Sequence, residues 1–290
     1  MGYVLEKVGV ICLSVVTFQV VRGIIISFYN YVFGPFLNNV NLKDFGHWAV
    51  VTDAYDGIGK AYAEALANAG MNVILMGKQK RKLDSIAAEI ESEYRVQTKI
   101  IEADFITDSI EAYDIIQSQL CTLDVGVLIN NVSMSYPHPE YFLDLPHRNK
   151  IFSQIIKCNI SSVTNMTLII LPRMVERGRG VIVNVSASAA TIPSPLLTVY
   201  GATEAYIEKF SKDLACEYSK RGVIIQCILP GIIATKKSTI PRSSWLAPTP
   251  KEYVIGLIHF LQFLSPSAVD WLILRAMENI RCRAIQRYVG

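Results

Sequence analysis

The sequence has no pair of cysteines at CxxC spacing and no cysteine and histidine cluster at metal-ligand spacing. Its six cysteines (Cys12, Cys121, Cys158, Cys216, Cys227 and Cys282) are scattered. That distribution excludes a disulfide framework and a metal site and reads as reduced thiols facing the cytosol. Charge is sparse as well: 18% of residues are Asp, Glu, Lys or Arg, and the net +3 is spread too evenly to serve nucleic acid. No internal repeat or low-complexity tract occurs in the 290 residues, which suit one large α/β domain with appendages. The abundant material is apolar, and 51% hydrophobic content is more than one soluble domain uses.

The excess lies at the two ends. Between Val8 and Leu37 the only charged side chain is Arg22, and about 20 apolar residues suffice to cross a bilayer. Residues 1–40 therefore read as a membrane anchor, either one tilted span with a snorkelling arginine or a hairpin-like insertion. The opposite end, residues 253–290, opens on the apolar segment Tyr253–Leu274 and continues with Arg275, Arg281, Arg283 and Arg287. Two readings remain there: a helix on the membrane surface with its cations at anionic headgroups, or a final helix packed on the domain.

Between the ends, residues 41–252 alternate regularly. Short apolar runs at Trp48–Thr52, Asn72–Met76, Thr98–Ala103, Val125–Asn130, Gly180–Ser186 and Val223–Leu229 predict strands. Helical spacing separates them over Lys60–Ala69, Lys78–Tyr94, Ser109–Leu120, Lys150–Met174 and Val199–Ser219. Strands that are apolar throughout and alternate with helices imply a parallel sheet covered on both faces. The first strand runs into Thr52-Asp53-Ala54-Tyr55-Asp56-Gly57-Ile58-Gly59 and then a helix. Glycines at such a turn let the backbone approach a pyrophosphate at a helix N-terminus.

That turn, Asn130-Asn131-Val132-Ser133, Asn159, Asn184-Val185-Ser186, Tyr200 and Pro230-Gly231, in this order, resemble the short-chain dehydrogenase/reductase family. Gly57-Ile58-Gly59-Lys60-Ala61-Tyr62, Ala103-Asp104-Phe105, Pro195–Tyr200 and Ser244-Trp245-Leu246-Ala247-Pro248 are similar to its membrane-bound branch. That branch contains 17β-hydroxysteroid dehydrogenase type 3, the very-long-chain 3-oxoacyl-CoA reductases and inactive hydroxysteroid-dehydrogenase-like proteins. The resemblance implies a Rossmann-type, doubly wound sheet and NADP(H) as cofactor. It makes Tyr200 the proton donor to a lipid or steroid ketone, and Asn159 the holder of a mid-helix kink and a relay water. Thr52, Asp53, Asp56, Gly57, Ile58 and Gly59 would form the phosphate turn. Asp104 would meet the adenine, Asn131 would support the central strand, and Pro230, Gly231 and Thr235 would border the nicotinamide. Lys78 stands where a cation selects the 2′-phosphate, or is simply a solvated lysine at a helix start. A homodimer in the endoplasmic reticulum membrane, its catalytic domain towards the cytosol, follows from the same likeness.

Five departures from the family pattern oppose full activity. Asp53 replaces a glycine and brings a negative charge to a phosphate turn. Ala187 stands where a serine hydroxyl polarises the substrate carbonyl, with Ser186 and Ser188 beside it as substitutes, although neighbouring strand residues face opposite ways. Glu204 replaces the lysine that lowers the tyrosine pKa from one helical turn away, and a carboxylate there acts in the opposite sense. Ser133 for glycine is a milder change close to the cofactor. The segment after Tyr253 is also shorter than in the branch. The sequence thus predicts a membrane-bound reductase-like protein that binds NADP(H) with catalysis weak or lost. Two alternatives stand beside it: an active NADPH-dependent 17-ketosteroid or 3-oxoacyl-CoA reductase, and a non-enzymatic membrane partner.

Overall fold

The computed structural model describes residues 41–106, 110–231 and 249–254, with the isolated positions 14, 17 and 21. Six strands form one parallel sheet: β1 (Trp48–Thr52), β2 (Asn72–Gly77), β3 (Thr98–Glu102), β4 (Val125–Asn130), β5 (Gly180–Val185) and β6 (Val223–Ile228). Their order is β3-β2-β1-β4-β5-β6, every pairing parallel. The central strands are buried along almost their whole length. Only a sheet covered by helices on both faces can bury such apolar strands. The strand order reverses direction between β1 and β4, and the crevice at the carboxyl ends of those two strands is where such sheets hold ligands.

The covering helices are α1 (Gly57–Asn68), α2 (Lys80–Tyr94), α3 (Ile110–Leu120), α4 (Arg148–Ile156), α5 (Ser162–Arg177) and α6 (Thr198–Tyr218). Strand ends agree with the sequence expectation to within one residue. The expected single helix over Lys150–Met174 is different. It runs from Arg148 to Arg177 and passes through one π turn, Lys157–Ser161, between α4 and α5. Among the described residues this is the one helix long and apolar enough to cross a membrane, and half of its apolar stretch is buried in the domain.

The main apolar core packs Val50, Ile74, Leu128 and Ile182 of the sheet against Met166, Ile170 and Met174 of α5. A further helix begins at residue 250. Thr249 and Glu252 cap it reciprocally, the Thr249 N–H and hydroxyl donating to Glu252 Oε2 at 2.9 and 2.8 Å. Val254 on this helix is buried. The proposed anchor over residues 1–40 and the tail from residue 255 onward lie outside the described residues.

Candidate active site

The crevice is built first by backbone. Thr52, at the end of β1, is 1% exposed. Its hydroxyl donates to the Ile129 carbonyl at 3.3 Å and accepts from the N–H groups of Asn131 and Val132 at 2.9 and 3.2 Å. Thr52 thus ties β1 to β4 through its side chain. The Asn131 amide donates to the carbonyls of Thr52 and Asp53 at 3.2 and 3.3 Å, the strand support expected of it. Gly57 has φ +54°, and a Cβ on Gly59 would lie 2.4 Å from the Asp53 carbonyl oxygen. Both positions therefore require glycine for this turn geometry. Asp56 caps α1, its carboxylate accepting from the Gly57 N–H at 2.7 Å.

Asp53 also has positive φ, +52°, a conformation that aspartate tolerates better than most residues. The family's glycine would adopt it without strain, so the substitution preserves the backbone path and changes the charge. Tyr55 answers part of that charge by hydrogen-bonding Asp53. Burial first, and then Asp53, raise the Tyr55 pKa. Lys82 lies 5.4 Å from the centre of the Tyr55 ring. Asp53, Tyr55, Lys78, Asp104, Ser133 and Ser135 are among the residues around a cavity of about 440 Å³. The Asp104 carboxylate also accepts from the Ile106 N–H at 3.1 Å. Lys60 pairs with Glu89 at 2.8 Å, away from this cavity.

A second cavity, of about 350 Å³, shares Asp53, Ser133 and Ser135 with the first. Asp56, Gly57, Ile58, Asn131, Ser186, Ala187, Tyr200, Pro230 and Gly231 also line it. The structure therefore brings the expected residues Asp53, Asp56, Gly57, Ile58, Lys78, Asp104, Asn131, Ser186, Ala187, Tyr200, Pro230 and Gly231 to two adjoining cavities, and Thr235 lies outside the described residues. Asn159 sits within the π turn, fully buried. Its Oδ1 accepts from the Met134 N–H at 2.7 Å, and its Nδ2 donates to the Met134 carbonyl and Thr203 Oγ1 at 3.0 and 2.9 Å. The kink expected at Asn159 is present, and its amide clamps the loop after β4 to α6.

Around Tyr200 the arrangement departs from the expectation. Ser186 is buried, and its hydroxyl donates to the Glu204 backbone carbonyl at 3.0 Å. Ser186 lines the cavity beside Ala187 with its hydroxyl engaged in that bond. Ser188 opens a short 3-10 turn and is not among the residues lining this cavity. Glu204 is 0% exposed. Its Oε1 accepts from Ser133 Oγ at 3.1 Å, while Oε2 takes no hydrogen bond of normal geometry. Burial pushes the Glu204 pKa up to about 7, and Ser186 and Ser133 offset part of that rise. The Tyr200 phenol is also raised, by burial first and then by Glu204, with the Ser133 hydroxyl opposing. The sequence reading treated Glu204 as a carboxylate. With its pKa near 7 the neutral acid gains over the carboxylate as pH falls below about 7, and the neutral form exerts no charge repulsion on Tyr200.

Two residues of the site were missed or underweighted by sequence reasoning. Ser133 is a hydrogen-bond partner of Glu204 from 71 positions away, a pairing that no local spacing signals. Ser135 brings an exposed hydroxyl to the junction of the two cavities, and only its closeness to the Asn130-Asn131 motif could have drawn attention to it.

The crevice fits a dinucleotide. Its turn has Gly59 where a Cβ would collide and Gly57 at positive φ, its two cavities adjoin at the sheet's reversal point, and Lys78 supplies a cation at one end. Comparison with known proteins agrees with that fit. A family model described as short chain dehydrogenase matches residues 47–243. The chain is 49% identical over 213 residues to a very-long-chain 3-oxoacyl-CoA reductase of Anas platyrhynchos, spanning 73% of this chain and 68% of that protein. The human protein of the same name is 45% identical over 213 residues, with the same two coverages. Among solved structures, a short-chain dehydrogenase from Sphingobium yanoikuyae in complex with NADPH superposes with a TM-score of 0.67. It is 25% identical, and the match covers 82% of this chain and 94% of that one.

Proposed function

The chain belongs to the short chain dehydrogenase family, and from that premise we propose that it is an NADP(H)-dependent reductase of long-chain acyl or steroid ketones. The observation that carries the reading is Tyr200, placed in the cavity with Asn131, Pro230 and Gly231 and continuous with the glycine turn. When bound, NADPH supplies the hydride for the carbonyl carbon. Asn131, Gly57 and Gly59 hold the turn that receives the cofactor, and Lys78 stands at the end suited to its 2′-phosphate. Tyr200 donates its proton to the carbonyl oxygen. The names of the relatives, very-long-chain 3-oxoacyl-CoA reductases, support an acyl-CoA ketone over a steroid. The apolar run from Val8 to Leu37 supports a membrane-held enzyme acting on a lipid, and we assign it to the endoplasmic reticulum membrane with its crevice towards the cytosol.

NADPH oxidation by the detergent-solubilised chain, with a long-chain 3-oxoacyl-CoA and a 17-ketosteroid offered separately, tests the proposal. Turnover that Tyr200→Phe abolishes supports it. A second reading rests on Ala187, which carries no hydroxyl, and on Glu204 in place of a cation: the chain binds NADP(H) but turns over weakly or not at all. Saturable NADPH binding without turnover on either ketone would favour that second reading.

A further inference from the structure

Glu204, Ser133 and Tyr200 form a linked set of oxygens that leads from the cavity wall into the core. Tyr200 and Ser133 line the cavity; the Ser133 hydroxyl donates to Glu204 Oε1 at 3.1 Å and holds down the pKa of the Tyr200 phenol. Behind them Glu204 is fully buried and Oε2 lacks a partner. The titratable groups that face it are Tyr200 on its own helix and Cys227 on β6. The Cys227 thiol is itself pushed up to about 11, chiefly by burial. Ser186 from the end of β5 and Ser133 from the loop after β4 also act on the carboxyl, and among the described residues no cation does. A buried carboxylate with one oxygen unpaired and no counterion is costly, so the neutral acid is the favoured form.

We propose that Glu204, acting through the Ser133 hydroxyl, is the proton reservoir for Tyr200, in place of the cation that the family carries at this helix position. The inference rests on the reductase reading given above. As the Tyr200 O–H bond breaks, its proton goes to the ketone oxygen, while the carbon takes a hydride from the dihydronicotinamide. The Ser133 hydroxyl, which donates to Glu204 Oε1 at rest, turns to give its proton to the phenolate, and Glu204, carrying its acid proton on Oε1, passes that proton to Ser133 Oγ. The step ends with neutral Tyr200, neutral Ser133 and a Glu204 carboxylate. Once product leaves, water in the cavity returns the proton along the same three oxygens. Glu204 is here a positioning and proton-holding group that never touches the substrate.

Infrared spectroscopy of the full chain in detergent tests the arrangement without turnover. The expected result is a protonated-carboxyl band that is absent in Glu204→Gln, fades as pH rises through about 7, and shifts in frequency in both Tyr200→Phe and Ser133→Gly. Absence of the band, or a band indifferent to Tyr200→Phe, overturns the proposal. Kinetics provide a second arm. Glu204→Gln and Ser133→Gly should each lower NADPH-dependent turnover by roughly tenfold or more, the double variant being no slower than either single one. Losses that multiply in the double variant overturn the relay, and Ser133→Ala serves as the matching variant if Ser133→Gly fails to fold. If the parent chain shows no turnover on any ketone, the reductase reading fails, and the response of the band to Tyr200→Phe still decides the relay.

Discussion

Two buried polar clusters lie about two turns apart along α6, and they are built in opposite ways. Around Ser211 every group is paired. Asn130 Nδ2 donates to Asn184 Oδ1 at 2.8 Å, Asn184 Nδ2 to Ser211 Oγ at 2.8 Å, and Ser211 Oγ to the Ile207 carbonyl at 2.6 Å. Around Glu204 the chain of hydrogen bonds ends on an unpartnered carboxyl oxygen. The first cluster contains only neutral groups and joins β4, β5 and α6. The second contains an ionisable acid beside the cavity. Neutral amides and hydroxyls can be satisfied completely and then hold geometry, whereas an acid left incompletely satisfied has its protonation set by burial.

The sharpest way to separate the two clusters is to remove the cavity end of the open one. Tyr200→Phe should lower NADPH-dependent ketone turnover by about 10² to 10⁴-fold, while the melting temperature changes little; steady-state kinetics and a thermal melt decide. Supplying the missing donor acts in the other direction. Ala187→Ser should raise turnover by about 10²-fold, and an unchanged rate would mean that another hydroxyl, with Ser135 the first to test, already polarises the carbonyl.

Closing the open cluster should stabilise the fold in a pH-dependent way. Glu204 has a folded-state pKa near 7 against an ordinary value of 4.5, so the native chain holds its proton where the unfolded chain has released it. The favourable contribution is full below pH 4.5 and is lost as pH rises to about 7. Glu204→Gln, which cannot ionise, should therefore be more stable than the parent above pH 7, by up to about 3 kcal/mol, and close to it at acidic pH. Opening the closed cluster should cost stability without pH dependence. Asn184→Ala takes from the Asn130 amide its 2.8 Å acceptor, leaving it Thr167 Oγ1 at 3.4 Å, and from Ser211 Oγ its amide donor, a loss of about 2 kcal/mol by denaturant titration at any pH between 5 and 8. If Asn184→Ala proves pH-dependent, or Glu204→Gln pH-independent, the contrast between the clusters fails.

Much of this architecture was legible in the residues. Val125–Asn130 was read with the limits that the structure has, because a wholly apolar run between polar turns leaves little choice of register. The crevice residues were legible too, since the glycine turn, Asn131, Tyr200 and Pro230-Gly231 are short motifs tied to a strand end or a helix start. What could not be read was pairing over distance. Nothing near Glu204 in the sequence indicates Ser133, and without that partner and the burial the side chain reads as a carboxylate. Ser186 was weighed as a substitute donor because it adjoins Ala187. Its hydroxyl is turned to the Glu204 carbonyl, and only the packing of α6 against β5 reveals that. The three hydrogen bonds that Thr52 makes across the junction of β1 and β4 were likewise not legible in its motif.

The π turn at Lys157–Ser161 can be regarded as an α-helix that has accepted one inserted residue. Deleting a single residue from that turn should let α4 and α5 rewind into an uninterrupted helix. Each residue of an α-helix turns about 100°, so everything on one side of the deletion would rotate by that angle against the sheet. Asn159 could not then hold both Met134 and Thr203, and the loop carrying Ser133 would lose its tie to the helix carrying Tyr200. Length within these five positions is therefore constrained more tightly than side-chain identity, and an insertion or deletion here should be more damaging than most point substitutions along the same helix.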